Sequence, residues 1–442
     1  MKRNLSAVLA VLLGIGLAAC GGAATTSSNP PAPAPLSLAA QVGQKIFFDQ
    51  SLSGSGKMSC ASCHDPAFAY GPPNNLAVQP GGADLGVSGG RAAPSLRYTQ
   101  YTPAYADLLD NPDGISVPGP GGGFTWDGRA DTLAAQAGIP LLAANEMANT
   151  SAQDVVAKLR LTPYAALFGQ AFGKDALTDS NAAFANVLLS LQAFQLEDPS
   201  FHPYSSKFDL YAGNKIGGSF SPAEARGLKL FSDSTTANCA SCHYQGAGLN
   251  GSSGLFTDFS YEGIGMPRNP AIPANQDPAH VDLGVCGPSR TDHIPAPGST
   301  NQFCGLFKAP GLRNVATRGA FFHNGVIHSL DQAIRFYNTR DTMPEIWYPT
   351  TGGSAKPTPD AGFPAYGLIT TQYTGGTVQK FNDLPAIHRA NIDTQLPLDG
   401  RKPGSANPMS EGQIADLVCF LKTLTDGYQA PAQAPTSGPC TN

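Results

Sequence analysis

Apolar residues recur at helical spacing in short blocks, and long stretches with no period separate the blocks. Two blocks are near copies. Gly43-Gln44-Lys45-Ile46-Phe47-Phe48-Asp49 is echoed by Gly227-Leu228-Lys229-Leu230-Phe231-Ser232-Asp233. The second copy follows Ser221-Pro222-Ala223-Glu224, a capping box with proline at the first helical position. Further helices are expected at Thr150 to Arg160, Ala182 to Leu196, Ser329 to Tyr337 and Ser410 to Leu424, the last two opening with Ser-x-x-Gln boxes. In the third of these, Leu330, Ala333, Ile334 and Tyr337 form one stripe, which by itself reads as a core face. No sustained period of two argues for a sheet. The stretches 72–90, 111–123, 251–300 and 350–378 are rich in Gly, Pro, Asn and Ser and read as long loops, of the kind that cover functional sites in compact domains. The chain is therefore read as mainly α, in two alike halves that meet near Pro199 to Tyr211.

Composition adds size and exclusions. The 442 residues leave room for two to three domains, and Gly 50 with Pro 38 fits a loop-rich protein. Net charge is -5 with only 13% charged residues, and no run of Lys or Arg resembles a nucleic-acid footprint, so no DNA or RNA partner is expected.

Each repeated helix precedes the same pentapeptide. Cys-Ala-Ser-Cys-His stands at Cys60 to His64 and again at Cys239 to His243, and this string is the attachment signature of a covalent c-type haem. Two cysteines one turn apart present their sulfurs to the two vinyl groups of one porphyrin, and the adjacent histidine reaches the iron. A structural zinc site or a redox dithiol would not require histidine at that position in both copies. The expectation is two covalently bound haem c groups, held by Cys60, Cys63 and His64 and by Cys239, Cys242 and His243, in two cytochrome-c-like domains.

The N-terminus reads as an export signal: Lys2 and Arg3, apolar residues from Ala7 to Leu17, then Leu17-Ala18-Ala19-Cys20. That string resembles a bacterial lipobox, which would make Cys20 the lipidated first residue of an exported, membrane-anchored protein. Gly21 after it resembles the pattern sorted to the outer membrane, with the folded part facing the periplasm. The expected organisation is a signal peptide over 1–20, a flexible tether over 21–36, one haem domain over 37–205, a second over 206–430 and a tail over 431–442. Apart from Cys20 and the haem cysteines, Cys286, Cys304, Cys419 and Cys440 remain, an even number in an exported chain. Two disulfides are expected, and pairing Cys286 with Cys304 and Cys419 with Cys440 closes the shortest loops.

The order of motifs resembles the bacterial di-haem cytochrome c peroxidase and MauG family from about Val42 to Leu424. The matching strings are Ile46-Phe47-Phe48-Asp49, Phe124-Thr125-Trp126-Asp127-Gly128-Arg129-Ala130, Asn145-Glu146-Met147, Leu312-Arg313-Asn314-Val315-Ala316, Phe322-His323-Asn324-Gly325 and Phe336-Tyr337-Asn338. The resemblance implies a peroxide site at the first haem, with His64 as proximal ligand, and an electron-relaying second haem on His243. Many members place a distal histidine on a loop soon after the first motif. Here the next histidine after His64 is His202, which implies an open sixth position. By the same resemblance Glu146 is the distal acid-base carboxylate, Gln136 and Pro140 line its pocket, and Trp126 lies between the haems as a relay.

Tyr337 stands at the position of the second haem's sixth ligand, where peroxidases fed by external cytochromes usually carry methionine. Tyrosine there is similar to the MauG-like subclass, and phenolate ligation favours oxidised iron. His323 is the rival ligand, and Met266 and Met343 fall outside the motif position. Calcium is left doubtful as a further cofactor. The family's Arg-Asn-Ala-Pro is Arg91-Ala92-Ala93-Pro94 here, and the proline ahead of the His-containing turn is Ala320, so only carbonyls and water would remain as ligands. The implied partners are hydrogen peroxide and either a small redox protein, a cytochrome c or a cupredoxin, or a partner protein that becomes oxidised. The competing reading is a non-enzymatic di-haem electron carrier or sensor.

Overall fold

The computed structural model describes residues 34–112, 117–246, 253–358, 360–431, 438 and 440–441. The export signal, Cys20, most of the tether and most of the C-terminal tail lie outside them. Ten α-helices position the rest: α1 (Leu38–Phe48), α2 (Cys60–Cys63), α3 (Leu133–Leu142), α4 (Ala152–Leu159), α5 (Ala165–Phe172), α6 (Ser180–Glu197), α7 (Lys207–Ala212), α8 (Pro222–Phe231), α9 (Leu330–Thr339) and α10 (Glu411–Lys422). Among the described residues the strands form only two-stranded antiparallel ribbons, most of them two residues long. The mainly α reading therefore stands.

The helices expected from capping and periodicity are present as α4, α6, α9 and α10, within three residues of the anticipated ends. Ser221, Ser329 and Ser410 each accept an N–H from the third helical residue, as their boxes required. Three helices were not foreseen. α3 contains Gly138 and Pro140, which mask its periodicity, and α5 and α7 are only 8 and 6 residues long. Tertiary packing rather than local propensity sustains elements that short.

The duplicated segment has a packing explanation. α1 packs along α6, and α8 packs along α10. A Cβ on Gly43 would lie 1.9 Å from the Ser190 carbonyl oxygen, and one on Gly227 would lie 2.1 Å from that of Asp416. In both halves glycine lets the first helix touch the backbone of the last.

The residues from Leu36 to Asn442 form one compact unit. Within it lie two principal hydrophobic clusters, one running from Val42 to Phe201 and the other from Phe208 to Leu424. Phe47 anchors the first, fully buried and edge-on to Phe194 at 5.6 Å and Phe201 at 6.0 Å. Phe420 does the same in the second, 5.3 Å from Phe231. Burying each such ring contributes about 1.5–3 kcal/mol. Cys286 is bonded to Cys304 and Cys419 to Cys440, the expected pairing, and the second bridge ties the chain's end to α10.

Candidate functional site

Both pentapeptides open onto one cavity of about 790 Å³, lined mainly by apolar groups. Cys60, Cys63, His64, Cys239, Cys242 and His243 all line it. The first Cys-Ala-Ser-Cys forms one α-turn, closed by a capping box between Ser59 and Ser62. The second folds as a 3-10 turn entered through Asn238 at φ 49. Identical sequence therefore takes two backbones, because flanking residues set the entry angle.

In both copies the histidine is oriented through Nδ1. His64 Nδ1 lies 3.0 Å from the Tyr70 carbonyl oxygen, and His243 Nδ1 lies 3.1 Å from that of Phe256 and 3.0 Å from that of Pro310. Nδ1–H donating to a carbonyl leaves Nε2 as the free lone pair, the arrangement that metal-bound imidazoles use. Burial lowers the pKa of His64 to about 4, so the ring is neutral and able to ligate.

Burial also pushes the thiols up, Cys60 and Cys239 to about 12 and Cys63 to about 11. Redox dithiols and zinc-binding cysteines need the opposite shift. Neutral sulfur facing an apolar cavity is the state that thioether bonds to a porphyrin would preserve. None of these four cysteines forms a disulfide. The donor set fits a haem at each motif.

The remaining sequence candidates surround the same cavity. Gln136 and Pro140 line it from α3, whose N-terminus is capped by Thr132. Glu146 lines it from the turn after α3, with its N–H on the Ala143 carbonyl at 3.0 Å and its own carbonyl accepting from Gly82 at 2.8 Å. Burial raises the Glu146 pKa, partly opposed by the charge of Arg129. Its carboxyl also acts electrostatically on Cys60 and Cys63, which puts it on the side of the first motif.

Trp126 is buried and donates its indole N–H to the Ala92 carbonyl at 2.8 Å. The next residue, Asp127, is fully buried, and Arg91 and Arg129 each reach its carboxylate at 2.8 Å. Arg91 continues to Asp282 at 2.7 Å. The turn that carries the indole is thus fixed by charge as well as by packing.

Tyr337 lines the cavity from α9, and its hydroxyl makes no hydrogen bond among the described residues. Burial and the nearby Cys242 and Cys239 thiols push its phenol far above the usual range, so it would ionise only against a cation such as ferric iron. His323 also lines the cavity, with its ring stacked 3.4 Å from that of Phe307. Met266 lies in the core, and neither it nor Met343 lines the cavity. The Ala92 carbonyl accepts from Trp126, while those of Ala93 and Ala320 accept from Arg318 at 3.2 and 3.1 Å. Each of these carbonyls thus accepts one hydrogen bond. Sequence reasoning passed over Lys308, Arg318 and Met409, which also line the cavity. No local motif marks them, since each reaches it only through tertiary folding.

The model of the di-haem cytochrome c peroxidase family matches residues 37–216. The methylamine utilization protein MauG of Paracoccus denitrificans is 34% identical over 408 residues, 90% of this chain and 91% of the relative. The chain belongs to the di-haem cytochrome c peroxidase and MauG family. Its members share two haem cofactors and a peroxidase function, and this chain is an oxidoreductase of that type. The cytochrome c551 peroxidase of Nitrosomonas europaea is 28% identical over 76% of this chain and 84% of its own. Among solved structures, the di-haem peroxidase BthA of Burkholderia thailandensis is similar with TM-score 0.73 and 36% identity, covering 92% of this chain and 90% of that one.

Proposed function

We propose that the chain reduces hydrogen peroxide at a haem bound covalently by Cys60 and Cys63 with His64 as proximal ligand. A second haem, which would supply the electrons, would be held by Cys239 and Cys242, with His243 and Tyr337 placed to ligate its iron. The observation that carries this reading is the asymmetry of the shared cavity. A carboxyl with a raised pKa, Glu146, stands on the first motif's side, and an unpaired phenol, Tyr337, stands on the second's. Bound haem supplies an iron that accepts peroxide oxygen and exchanges single electrons.

The protein's own groups do the rest. Glu146 takes the proton from the inner peroxide oxygen and returns it to the outer one, so that water leaves. A carboxyl whose pKa is raised by burial suits this task better than a solvated one, because its proton affinity lies nearer to that of the working medium. Gln136 and Pro140 bound the pocket that holds the peroxide. Trp126, fixed by Ala92, would carry the electron between bound haems, and Tyr337 would supply a phenolate that favours oxidised iron. The two hydrophobic clusters correspond on this reading to haem domains over 37–205 and 206–430.

The final donor is a small redox protein or an oxidisable partner protein, and Tyr337 favours the second. On the N-terminal reading the enzyme is exported and held at the membrane through lipid on Cys20, facing the periplasm. Electron paramagnetic resonance tests the proposal. One high-spin and one low-spin ferric signal should appear, and stoichiometric peroxide should erase both. Two low-spin signals indifferent to peroxide would instead support an electron carrier or sensor. Turnover with reduced cytochrome c, compared with trapping of an oxidised protein partner, separates the two kinds of donor.

A further inference from the structure

Six lysine and arginine side chains line the cavity, and they differ in their partners. Arg91 meets Asp127 and Asp282, Arg97 meets Asp426, Arg129 meets Asp127, and Arg313 meets Asp209, all within 3.1 Å. Lys308 and Arg318 have no carboxylate partner among the described residues. Lys308 Nζ donates to the Gly123 carbonyl and lies 5.9 Å from the Phe124 ring and 5.5 Å from that of Phe259. Arg318 reaches only the carbonyls of Ala320 and Ala93.

Both cations are half-buried, and desolvation lowers their pKa values, Lys308 to about 7 and Arg318 to about 10. A guanidinium does not give up its proton in a protein. A half-buried one without a carboxylate partner is unfavourable unless an anion meets it on its open side. The remaining open side of each group is the cavity that both motifs share.

Haem carries two carboxylates on flexible propionate arms, and these are the anions that a haem cavity would receive. We propose that Arg318 and Lys308 are the counter-cations of haem propionates, with Arg318 serving the haem at Cys60–His64. The assignment of Arg318 rests on position. Its charge acts on His64, and it donates to Ala93, one residue before Pro94, whose carbonyl also acts on the His64 ring. Arg318 comes from the second half of the chain, so the first haem is held by both halves.

The segment around it has three further roles. The Pro310 carbonyl orients His243, the Lys308 N–H meets the Trp126 carbonyl at 3.0 Å, and Arg318 faces the first motif. Residues 308–318 thus supply the carbonyl that orients His243, an N–H for the Trp126 backbone and the cation proposed for the first haem's carboxylates.

The inference rests on the di-haem reading, and haem content per chain is measured first. A wild-type protein without two haems would overturn that reading and this one with it. In a loaded protein, removing a cation from a propionate favours the ferric state. Arg318→Gln should lower the midpoint potential of the first haem by about 59 mV, tenfold in a one-electron equilibrium, and Arg318→Lys should restore most of it. Lys308→Met should lower at least one haem potential in the same way. Unchanged potentials in loaded Arg318→Gln and Lys308→Met would overturn the proposal. Should Arg318→Gln fail to load haem, the propionate bending band in the resonance Raman spectrum of Arg318→Lys decides. Exchange of guanidinium for ammonium moves the band when the side chain touches a propionate, and an unmoved band overturns the assignment.

Discussion

The Trp126 indole N–H donates to the Ala92 carbonyl at 2.8 Å, and the Ala92 N–H donates in turn to the His323 carbonyl at 2.7 Å. The Trp126 ring is therefore tied to a segment of the first half that is itself hydrogen-bonded to the second half. Trp126→Phe removes both the readily oxidised ring and the bond, leaving a buried carbonyl short of a donor at a cost of about 1–3 kcal/mol. The variant should still load two haems. After peroxide is added, the low-spin signal should decay more slowly than the high-spin one, as followed by rapid-freeze paramagnetic resonance. Simultaneous decay at the wild-type rate would remove Trp126 from the route.

Glu146→Gln keeps the size of the side chain and removes the carboxyl proposed to move the peroxide proton. The rate of reaction with peroxide, read by stopped-flow absorbance, should fall by about 10²- to 10⁴-fold. The ferric spectra should stay as in wild type. A rate within a factor of two of wild type would assign the proton transfer elsewhere.

Tyr337→Phe deletes only the phenolic oxygen, which makes no hydrogen bond among the described residues. The low-spin ferric signal should change and the high-spin signal should not. An identical low-spin spectrum would pass the ligand role to His323, whose ring shares the same cavity.

Asp127 bears on stability. Burial by itself would raise its pKa, but Arg91 and Arg129 outweigh burial and hold it below the ordinary carboxylate value. A carboxyl with a depressed folded-state pKa stabilises the protein fully above its unfolded value and loses that contribution as pH falls through the folded one. Asp127→Asn should therefore cost about 3–5 kcal/mol near neutrality. In denaturant midpoints measured from pH 7 to pH 3, the gap between variant and wild type should begin to narrow below about pH 4. A gap independent of pH would mean that packing, not charge, holds the turn.

Gly43 and Gly227 stand where two helices touch backbone to backbone. Alanine at either position forces the helices apart, and about 1–3 kcal/mol of destabilisation is expected from overpacking. Thermal melts of Gly43→Ala and Gly227→Ala should show similar losses. A neutral Gly227→Ala would break the equivalence of the two crossings.

What lay within one or two turns of chain was legible in the sequence. The Cys-Ala-Ser-Cys-His spacing, the serine caps of α8, α9 and α10, and the short loops closed by Cys286–Cys304 and Cys419–Cys440 are set by local geometry. Motif order also named Glu146, Trp126, Gln136 and Tyr337, although nothing local to each residue showed that they share a cavity. The short helices α5 and α7, and α3 with its internal glycine and proline, carried too weak a periodic signal to be seen.

Tertiary structure alone decided that both pentapeptides face a single cavity and that their identical spelling takes two different backbones. It also chose the carbonyls that orient His64 and His243, and among the described residues it left Lys308 and Arg318 without carboxylates while pairing the other four Lys and Arg side chains of the cavity. The physical reason is range. Spacing and capping act over a few residues, whereas burial and charge pairing depend on which distant segments exclude water from one another.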